Sequence, residues 1–438
     1  MIGIWVGIKG QALENKIDAY LSPLVQAGDF YGTILIAEES EPVFIKGYGY
    51  ADIEHQIPND THTVFHIASV NKPITAIGIL LLHQRELLDI EDPVSNYISD
   101  YPNGEVITIK HLLAQTSGIP SYNRFPDYGI YAKRENTLGS VVDWFKNEPL
   151  SFEPGEKYGY SNSNYVLLAF LIEKVTGMDY EDYMTKNIFD PIGMSRTGNY
   201  TYNEIILNRA SGYDPANNPF GLKKRGFYNN SMKVGSGALF STVTDLFLLS
   251  KALQGTDLLN EETKNLMYTP IADYEYGLGW GIWPRFNKSK YDHDGASPGS
   301  VAYYSYYPDE KVTIIFLGNI NSGSFQRMKK DLAAIYFGEP FEIPISRVYQ
   351  YFSGEDLKQY EGRYAFESGN FFDLKVRDGA LRFLWRGRGE LGYLLSPTGK
   401  GQFYMRARGD EIIFTYEGGK EVIQYVELSG TSLLTRVQ

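Results

Sequence analysis

Alternating and three-to-four-residue apolar spacings divide the chain into stretches of distinct character. Residues 30–52, FYGTILIAEESEPVFIKGYGYAD, predict two strands around a polar Glu-Glu-Ser-Glu-Pro turn. Ahead of them, Leu13, Ile17 and Leu21 share one stripe of a helix in ALENKIDAYLSPLV. The run SVNKPITAIGILLLHQREL predicts a long apolar helix opening at Ser69. Pro73 is tolerable there because N–H groups of a first turn have no intrahelical acceptor. From about 75 to 250 helical segments and long loops dominate: ITIKHLLAQTSGIP, ending at Gly118 and Pro120; NYVLLAFLIEKVTG, ending at Gly177; STVTDLFLLSKALQG, closing at Gly255. Strand patterning returns in YGLGWGIW, SVAYYSYYPD and KVTIIFLGN, and a helix, FQRMKKDLAAIYFG, follows. Strands that flank a helical insertion imply one sheet built from both ends of a discontinuous domain.

GEPFEIPISRVYQYFSGEDL carries two prolines and no sustained period, so it reads as a linker. Beyond it, NFFDLKVRDGALRFLW alternates around Asp378-Gly379, a strong hairpin signal, and EIIFTYEGGKEVIQYVEL does the same around Gly418-Gly419. This end predicts a separate antiparallel β unit, a closed or nearly closed barrel.

Composition narrows the function more than the fold. A chain of 438 residues exceeds one ordinary domain, and 43% hydrophobic with 21% charged residues is common globular composition. The 35 tyrosines suit aromatic-lined clefts or half-buried strands. A net charge of −12 argues against nucleic acid, which needs clustered Lys and Arg. Without cysteine there is no disulfide, thiol nucleophile or Cys-ligated zinc. His62 and His66 are four apart, but HTVFH lacks the glutamate of a zinc-protease helix, so no metal is expected. No apolar run approaches the roughly 18 residues of a membrane span. MIGIWVGIKG is too short and lacks the basic start of a signal peptide. The compartment therefore stays open: cytoplasmic if the chain is complete, periplasmic or secreted if a leader was removed.

Three short motifs carry chemistry. Ser69-Val-Asn-Lys72 sets a hydroxyl and an amine on one helix face. Burial and positive neighbours would lower the lysine's pKa, and a helix N-terminus favours a developing oxyanion. Alone, the pattern more often describes a capping serine followed by a solvated lysine. Tyr160-Ser-Asn162 offers a phenol and an amide. Tyrosine acts as a base at neutral pH only where cations depress its pKa; Lys72 is the expected cation, and Asn162 would hold substrate. The same spacing at Tyr101 and Tyr228 reads as solvent-facing turns, whereas Tyr160 follows a Pro154-Gly155 turn into an apolar helix. In His293-Asp-Gly295, on a strand edge, glycine lets substrate lie against the backbone. The N–H groups of Ser69 and Ala296 would form an oxyanion hole. His293 would supply a hydrogen bond or, if protonated, positive charge for a carboxylate.

A competing motif overlaps the third. Gly295-Ala-Ser297-Pro-Gly299 fits the G-x-S-x-G elbow of α/β-hydrolases. In an elbow the residue after the serine donates its N–H to the oxyanion, and Pro298 has none. An elbow also needs a helix after the serine, yet GSVAYYSYYPD alternates like a strand.

Taken in order, S-x-x-K, Y-x-N and H-x-G resemble the serine β-lactamase and DD-peptidase superfamily, in its class C β-lactamase-like, penicillin-binding-protein-type (S12-like peptidase) branch. LLAQTSGIP, FEPGEKYGYSNSNYVLLAFLIEKVTG, FDPIGMSRTG, GALFSTVTDL and YGLGWGI look like further landmarks, within residues 15 to about 340. The resemblance implies an α+β fold: an antiparallel sheet flanked by helices, with a large helical insertion. Residues 1–345 would form the catalytic domain, its α/β part at about 12–75 and 270–340 and its helical part at about 76–269. Residues 346–438 resemble the lipocalin-like barrels appended to such peptidases, which shape the cleft or drive homo-oligomerisation. Ser69 would be the acylated nucleophile, Lys72 and Tyr160 its proton-transfer partners, Asn162 a substrate contact, and His293 and Gly295 the strand-borne wall. No cofactor or metal is implied. Class C β-lactamases carry Lys-Thr-Gly at the third motif; His293 resembles instead soluble DD-peptidases and D-aminopeptidases. The expected partner is a small peptide, amide or ester, with cleavage of D-amino-acid peptides or amides ahead of carboxylesterase or β-lactamase activity. The alternative of another class is a catalytically silent sensor or scaffold, which the retained Ser69, Lys72, Tyr160 and Asn162 disfavour.

Overall fold

The computed structural model describes residues 2–199, 204–271, 274–385, 392–406, 408–417, 420–427 and 430–437. Its longer helices are α1 (Ile2–Gln26), α2 (Asn71–Gln84), α3 (Asn162–Thr176), α4 (Val243–Gln254) and α5 (Ser324–Phe337). Strands β1 (Gly32–Glu38) and β2 (Glu41–Tyr48) form the first predicted hairpin. Its turn residues Glu39 and Ser40 both take positive φ, 50° and 65°, which matches the strand twist. Strands β3 (Tyr291–Ser297), β4 (Ser300–Tyr307) and β5 (Val312–Gly318) complete a five-stranded antiparallel sheet in the order β3-β4-β5-β1-β2. β1 pairs with β5 from Gly32 opposite Gly318 to Glu38 opposite Val312, so the two ends of the segment 32–318 share one sheet.

Both faces of this sheet are covered, which explains why β1 and β5 are apolar nearly throughout. Leu35, Ile315 and Leu317 point into the core shared with α2, α3 and α4. Ile34, Ile36, Ile314 and Phe316, one step out of phase, pack on Ile17, Tyr20 and Leu21 of α1 and Met328 and Leu332 of α5. α2 is buried along almost its whole length, as a helix apolar on all sides must be. Pro73 is its third residue, within the first turn. α3 ends at Gly177, whose φ of 67° closes the helix. Thr242 caps α4 by accepting the Asp245 N–H at 3.0 Å.

Three local expectations fail. ITIKHLLAQTSGIP yields only the helix Ile109–Leu113, because Gln115 takes φ 61° and its side chain is used elsewhere. YGLGWGIW forms no extended strand; Gly279, at φ 89°, breaks it, leaving isolated bridges at Tyr276–Gly281 and Gly281–Asp292. Tyr101 and Tyr228 do not face solvent: Tyr101 folds under its turn to 6% exposure, and Tyr228 packs half-buried against the core.

At the C-terminal end, β6 (Gly362–Phe366), β7 (Phe371–Arg377), β8 (Ala380–Trp385), β9 (Tyr393–Leu394), β10 (Ser396–Gly399), β11 (Gln402–Met405), β12 (Asp410–Glu417), β13 (Lys420–Glu427) and β14 (Gly430–Arg436) make a second antiparallel sheet. Its order is β9-β8-β7-β6-β14-β13-β12-β11-β10. The edge strands β9 and β10 are neighbours in the chain, so the sheet curls into a nearly closed barrel. Tyr364, Phe372, Phe383, Phe403, Ile412 and Ile423 fill it. Asp378 and Gly379 turn β7 into β8 with φ of 52° and 71°, as the dipeptide predicts. Gly418-Gly419 lies outside the described residues.

The linker residues 338–353 form neither helix nor strand, yet they are tied down. Tyr349 donates its hydroxyl to Asp29 Oδ2 at 2.6 Å, and the Gln350 N–H donates to the Pro397 carbonyl at 2.8 Å; from the barrel, Arg406 Nη1 donates to the Gly221 carbonyl at 3.1 Å. Asn217, in the loop between the short strands Tyr213–Pro215 and Leu222–Lys224, donates to the carbonyls of Phe352 and Gly379.

Candidate active site

Ser69 lies on a 3-10 turn, Ala68–Val70, that leads directly into α2, rather than on the helix itself. Ala68 holds φ at 46°, a rarely populated conformation for a residue with a side chain. The turn is over-determined from behind: Ile67 N–H donates to the Leu239 carbonyl at 3.0 Å, and Asn71 Oδ1 accepts the N–H groups of Ala238 and Leu239. Lys72, one helical turn on and fully buried, brings Nζ within 3.0 Å of Ser69 Oγ. The same amine donates to the Ser236 carbonyl at 2.7 Å. Burial drives the Lys72 pKa well below the ordinary lysine range, Lys233 pushes the same way, and Asp294 opposes them.

Tyr160 is clamped on both sides by Gln115. The Gly159 N–H donates to the Gln115 carbonyl at 2.8 Å, and the Ser161 N–H to Gln115 Oε1 at 2.9 Å. This carries the tyrosine to Ser69, with which its hydroxyl hydrogen-bonds, and sets its ring centroid 4.9 Å from Lys72 Nζ. The expected depression of its pKa does not occur. Burial raises it, the Ser69 hydrogen bond only partly offsets this, and Asp294 adds to the rise. Tyr160 is therefore a neutral phenol, suited to donating a proton rather than to removing one.

Asn162 opens α3, with its backbone N–H on Ser121 Oγ and its side-chain amide on Asn123 Oδ1 at 3.2 Å. It lines a 200 Å³ cavity together with Ser69, Lys233, Ala296 and Ser297.

The opposite wall is β3, the edge strand of the large sheet. Gly295 faces the Ala68–Val70 turn so closely that a Cβ there would lie 2.5 Å from the Ile67 carbonyl oxygen and 2.7 Å from Ser69 N. Only glycine admits this approach, which brings the N–H groups of Ser69 and Ala296 to one cavity. His293 Nδ1 lies 2.7 Å from the Asp294 carbonyl oxygen, which fixes the proton on Nδ1 and leaves Nε2 toward the Tyr276 hydroxyl. Burial, with Lys72 next, holds its pKa below the ordinary histidine range. At neutral pH His293 is thus a hydrogen-bonding imidazole, and the charged form contemplated from sequence does not arise. With Tyr160 it lines a second cavity of 420 Å³.

Ser297 sits at the β3–β4 turn and pairs across it with Ser300. No helix follows it, and its Oγ accepts from Lys233 Nζ at 3.1 Å instead of facing a histidine, so the elbow geometry is absent. His62 and His66 lie on no helix; His66 is buried between Ser300 Oγ and the Gly237 carbonyl. Asp52, Glu54 and His55 cluster within 4.8 Å on the surface, but Ser211, Lys224 and one another already occupy them.

Sequence reasoning brought Ser69, Lys72, Tyr160, Asn162, His293, Gly295 and Ala296 to one place, and it missed Asn71, Gln115, Lys233 and Ser236. Asn71 lies inside Ser69-Val-Asn-Lys72, Gln115 inside the landmark LLAQTSGIP and Ser236 beside GALFSTVTDL, so those stretches held a signal for three of the four.

The Beta-lactamase family model matches residues 17–336. A penicillin-binding protein of Bacillus subtilis (strain 168) is 31% identical over 443 residues, spanning 95% of this chain and 97% of that protein. The octameric penicillin-binding protein homologue from Pyrococcus abyssi has a TM-score of 0.65 at 26% identity, over 97% of this chain and 99% of its own. A penicillin-binding protein from Bacillus halodurans has a TM-score of 0.63 at 29% identity, over 72% of this chain and 98% of its own.

Proposed function

The chain belongs to the Beta-lactamase family of serine hydrolases, and on that premise we propose that it cleaves D-amino-acid-containing peptides or amides through an acyl-enzyme on Ser69. The observation that carries this reading is the buried Lys72 amine 3.0 Å from Ser69 Oγ. An amine deprived of water favours its neutral form, and a neutral amine at that distance accepts the hydroxyl proton as oxygen attacks the substrate carbonyl. The tetrahedral oxyanion sits between the N–H groups of Ser69 and Ala296. Tyr160, kept neutral by burial, donates its phenolic proton to the leaving amine and regains one from Lys72. Asn162 holds the substrate amide. Water then attacks the ester, Lys72 again takes the proton, and release of the acid restores Ser69. His293 in place of lysine supports a peptide or amide substrate over a β-lactam.

Intact-mass analysis after exposure to a fluorophosphonate or benzylpenicillin should show one adduct, absent from Ser69→Ala. An adduct retained by that variant overturns the assignment. Among D-Ala-p-nitroanilide, a D-Ala-D-Ala peptide, p-nitrophenyl butyrate and nitrocefin, the first two should turn over fastest. Fastest turnover of the ester or of nitrocefin would replace the substrate reading, and no turnover with any would favour a silent binder.

A further inference from the structure

The two cavities beside Ser69 differ in their acidic residues. In the larger one, Lys290 faces Asp292 and Lys329 faces Asp294, and Arg285 lines the same cavity without an ion-pair partner among the described residues. The smaller one holds Ser69, Asn162, Ala296 and Ser297 and has no acidic residue among those that line it. Its cation is Lys233, which has no ion-pair partner among the described residues. Lys233 Nζ donates to Ser297 Oγ at 3.1 Å and lies 5.3 Å from the Tyr228 ring centroid. Arg225 adds like charge to the same region. A half-buried ammonium without a counter-ion, beside the Arg225 guanidinium, is an unfavourable arrangement, and it occurs in a chain of net charge −12.

We propose that Lys233 is a specificity residue that receives a carboxylate carried on the acyl part of the substrate. This rests on the reading of Ser69 as the acylated nucleophile. The direction follows from proton delivery. The leaving group must meet Tyr160, which lines the larger cavity with His293, so it departs on that side. The acyl group then occupies the smaller cavity, against Asn162, Ser297 and Lys233. An ammonium has three donors; Ser297 aims the group by taking one and leaves the others for an anion. A carboxylate there completes a charge-assisted hydrogen bond, and a neutral acyl group leaves the ammonium unpaired. The substrate class is thus narrowed to peptides or amides whose acyl residue is acidic.

Carbenicillin and benzylpenicillin test this, because they share one nucleus and its carboxylate and differ by a carboxylate on the acylamino side chain. The readout is the ratio of their second-order rates of Ser69 acylation, followed by intact mass. The wild type should favour carbenicillin by about tenfold or more, as expected for a hydrogen bond to a charged group. Lys233→Met and Lys233→Gln should bring the ratio to unity or below, and Lys233→Arg should retain the preference. Lys233→Glu should shift the preference toward ampicillin, whose side chain carries an amine. A wild-type ratio at or below unity, or a preference that survives in both neutral variants, overturns the proposal while leaving Ser69 in place. Failure of every penicillin to acylate the wild type at Ser69 overturns the function reading, and this one with it.

Discussion

Lys72 and Tyr160 illustrate how burial divides labour between two neighbouring groups. Desolvation disfavours whichever form is charged, so it lowers the lysine's pKa and raises the tyrosine's. In the proposed mechanism the amine is the acceptor and the phenol the donor. Tyr160→Phe removes the donor without altering ring packing, so kcat should fall by roughly 10²-fold or more with the melting temperature little changed. An unchanged kcat would clear Tyr160 of that role. In the same measurements the wild-type acylation rate should rise with pH as Lys72 loses its proton, and level off well below the ordinary lysine pKa. The motif S-x-x-K made the partners of Ser69 legible; the environment alone decided their protonation.

At the scale of elements, the site is a junction between a turn and an edge strand. β3 can approach the Ala68–Val70 turn because Gly295 has no side chain to meet the Ile67 carbonyl and Ser69 N. Gly295→Ala must push strand and turn apart, which misplaces the Ala296 N–H relative to that of Ser69, the two donors of the proposed oxyanion hole. Acylation of Ser69 should drop by about 10²-fold or more, as when an oxyanion donor is lost. Acylation at the wild-type rate would show that β3 is not the wall of the site. Its neighbour β4 was readable from alternation in SVAYYSYYPD, and β3 only as the strand edge expected to carry His293-Asp-Gly295. YGLGWGIW was misread because its glycines permit φ values that strand patterning does not record.

For the molecule as a whole, the barrel is joined to the rest through buried charge. Arg406 Nε lies 3.5 Å from Asp29 Oδ1, the two side chains are 3% and 5% exposed, and the guanidinium stacks 3.4 Å from the Tyr349 ring centroid. Arg406→Met leaves a buried carboxylate unpaired and should destabilise the protein by about 3–5 kcal/mol, seen as a lower melting temperature. Burial raises the Asp29 pKa despite Arg406 and Tyr349. A raised carboxyl pKa means that the native state holds its proton more tightly than the unfolded chain, so the contribution of Asp29 to stability is greatest in acid and is lost as pH rises through that pKa. The defect of Arg406→Met should therefore shrink as pH falls and Asp29 becomes neutral, and Asp29→Asn should partly restore the variant. A defect independent of pH, or none at neutral pH, would remove the ion pair from the account of the junction.

From sequence alone came what is local and periodic: β1, β2, β4 and β5 of the first sheet, the Asp378-Gly379 hairpin of the second, the helix that carries Lys72, and the identity of Ser69 and six residues around it. Alternation and helical spacing are written in neighbouring positions, and short motifs keep reacting groups at fixed separations. Only the tertiary structure set Gln115 around Tyr160, kept His293 neutral, and placed Lys233 in a cavity without a carboxylate. Those outcomes depend on distance from water and on contacts between residues far apart in the chain, and neither leaves a periodic trace.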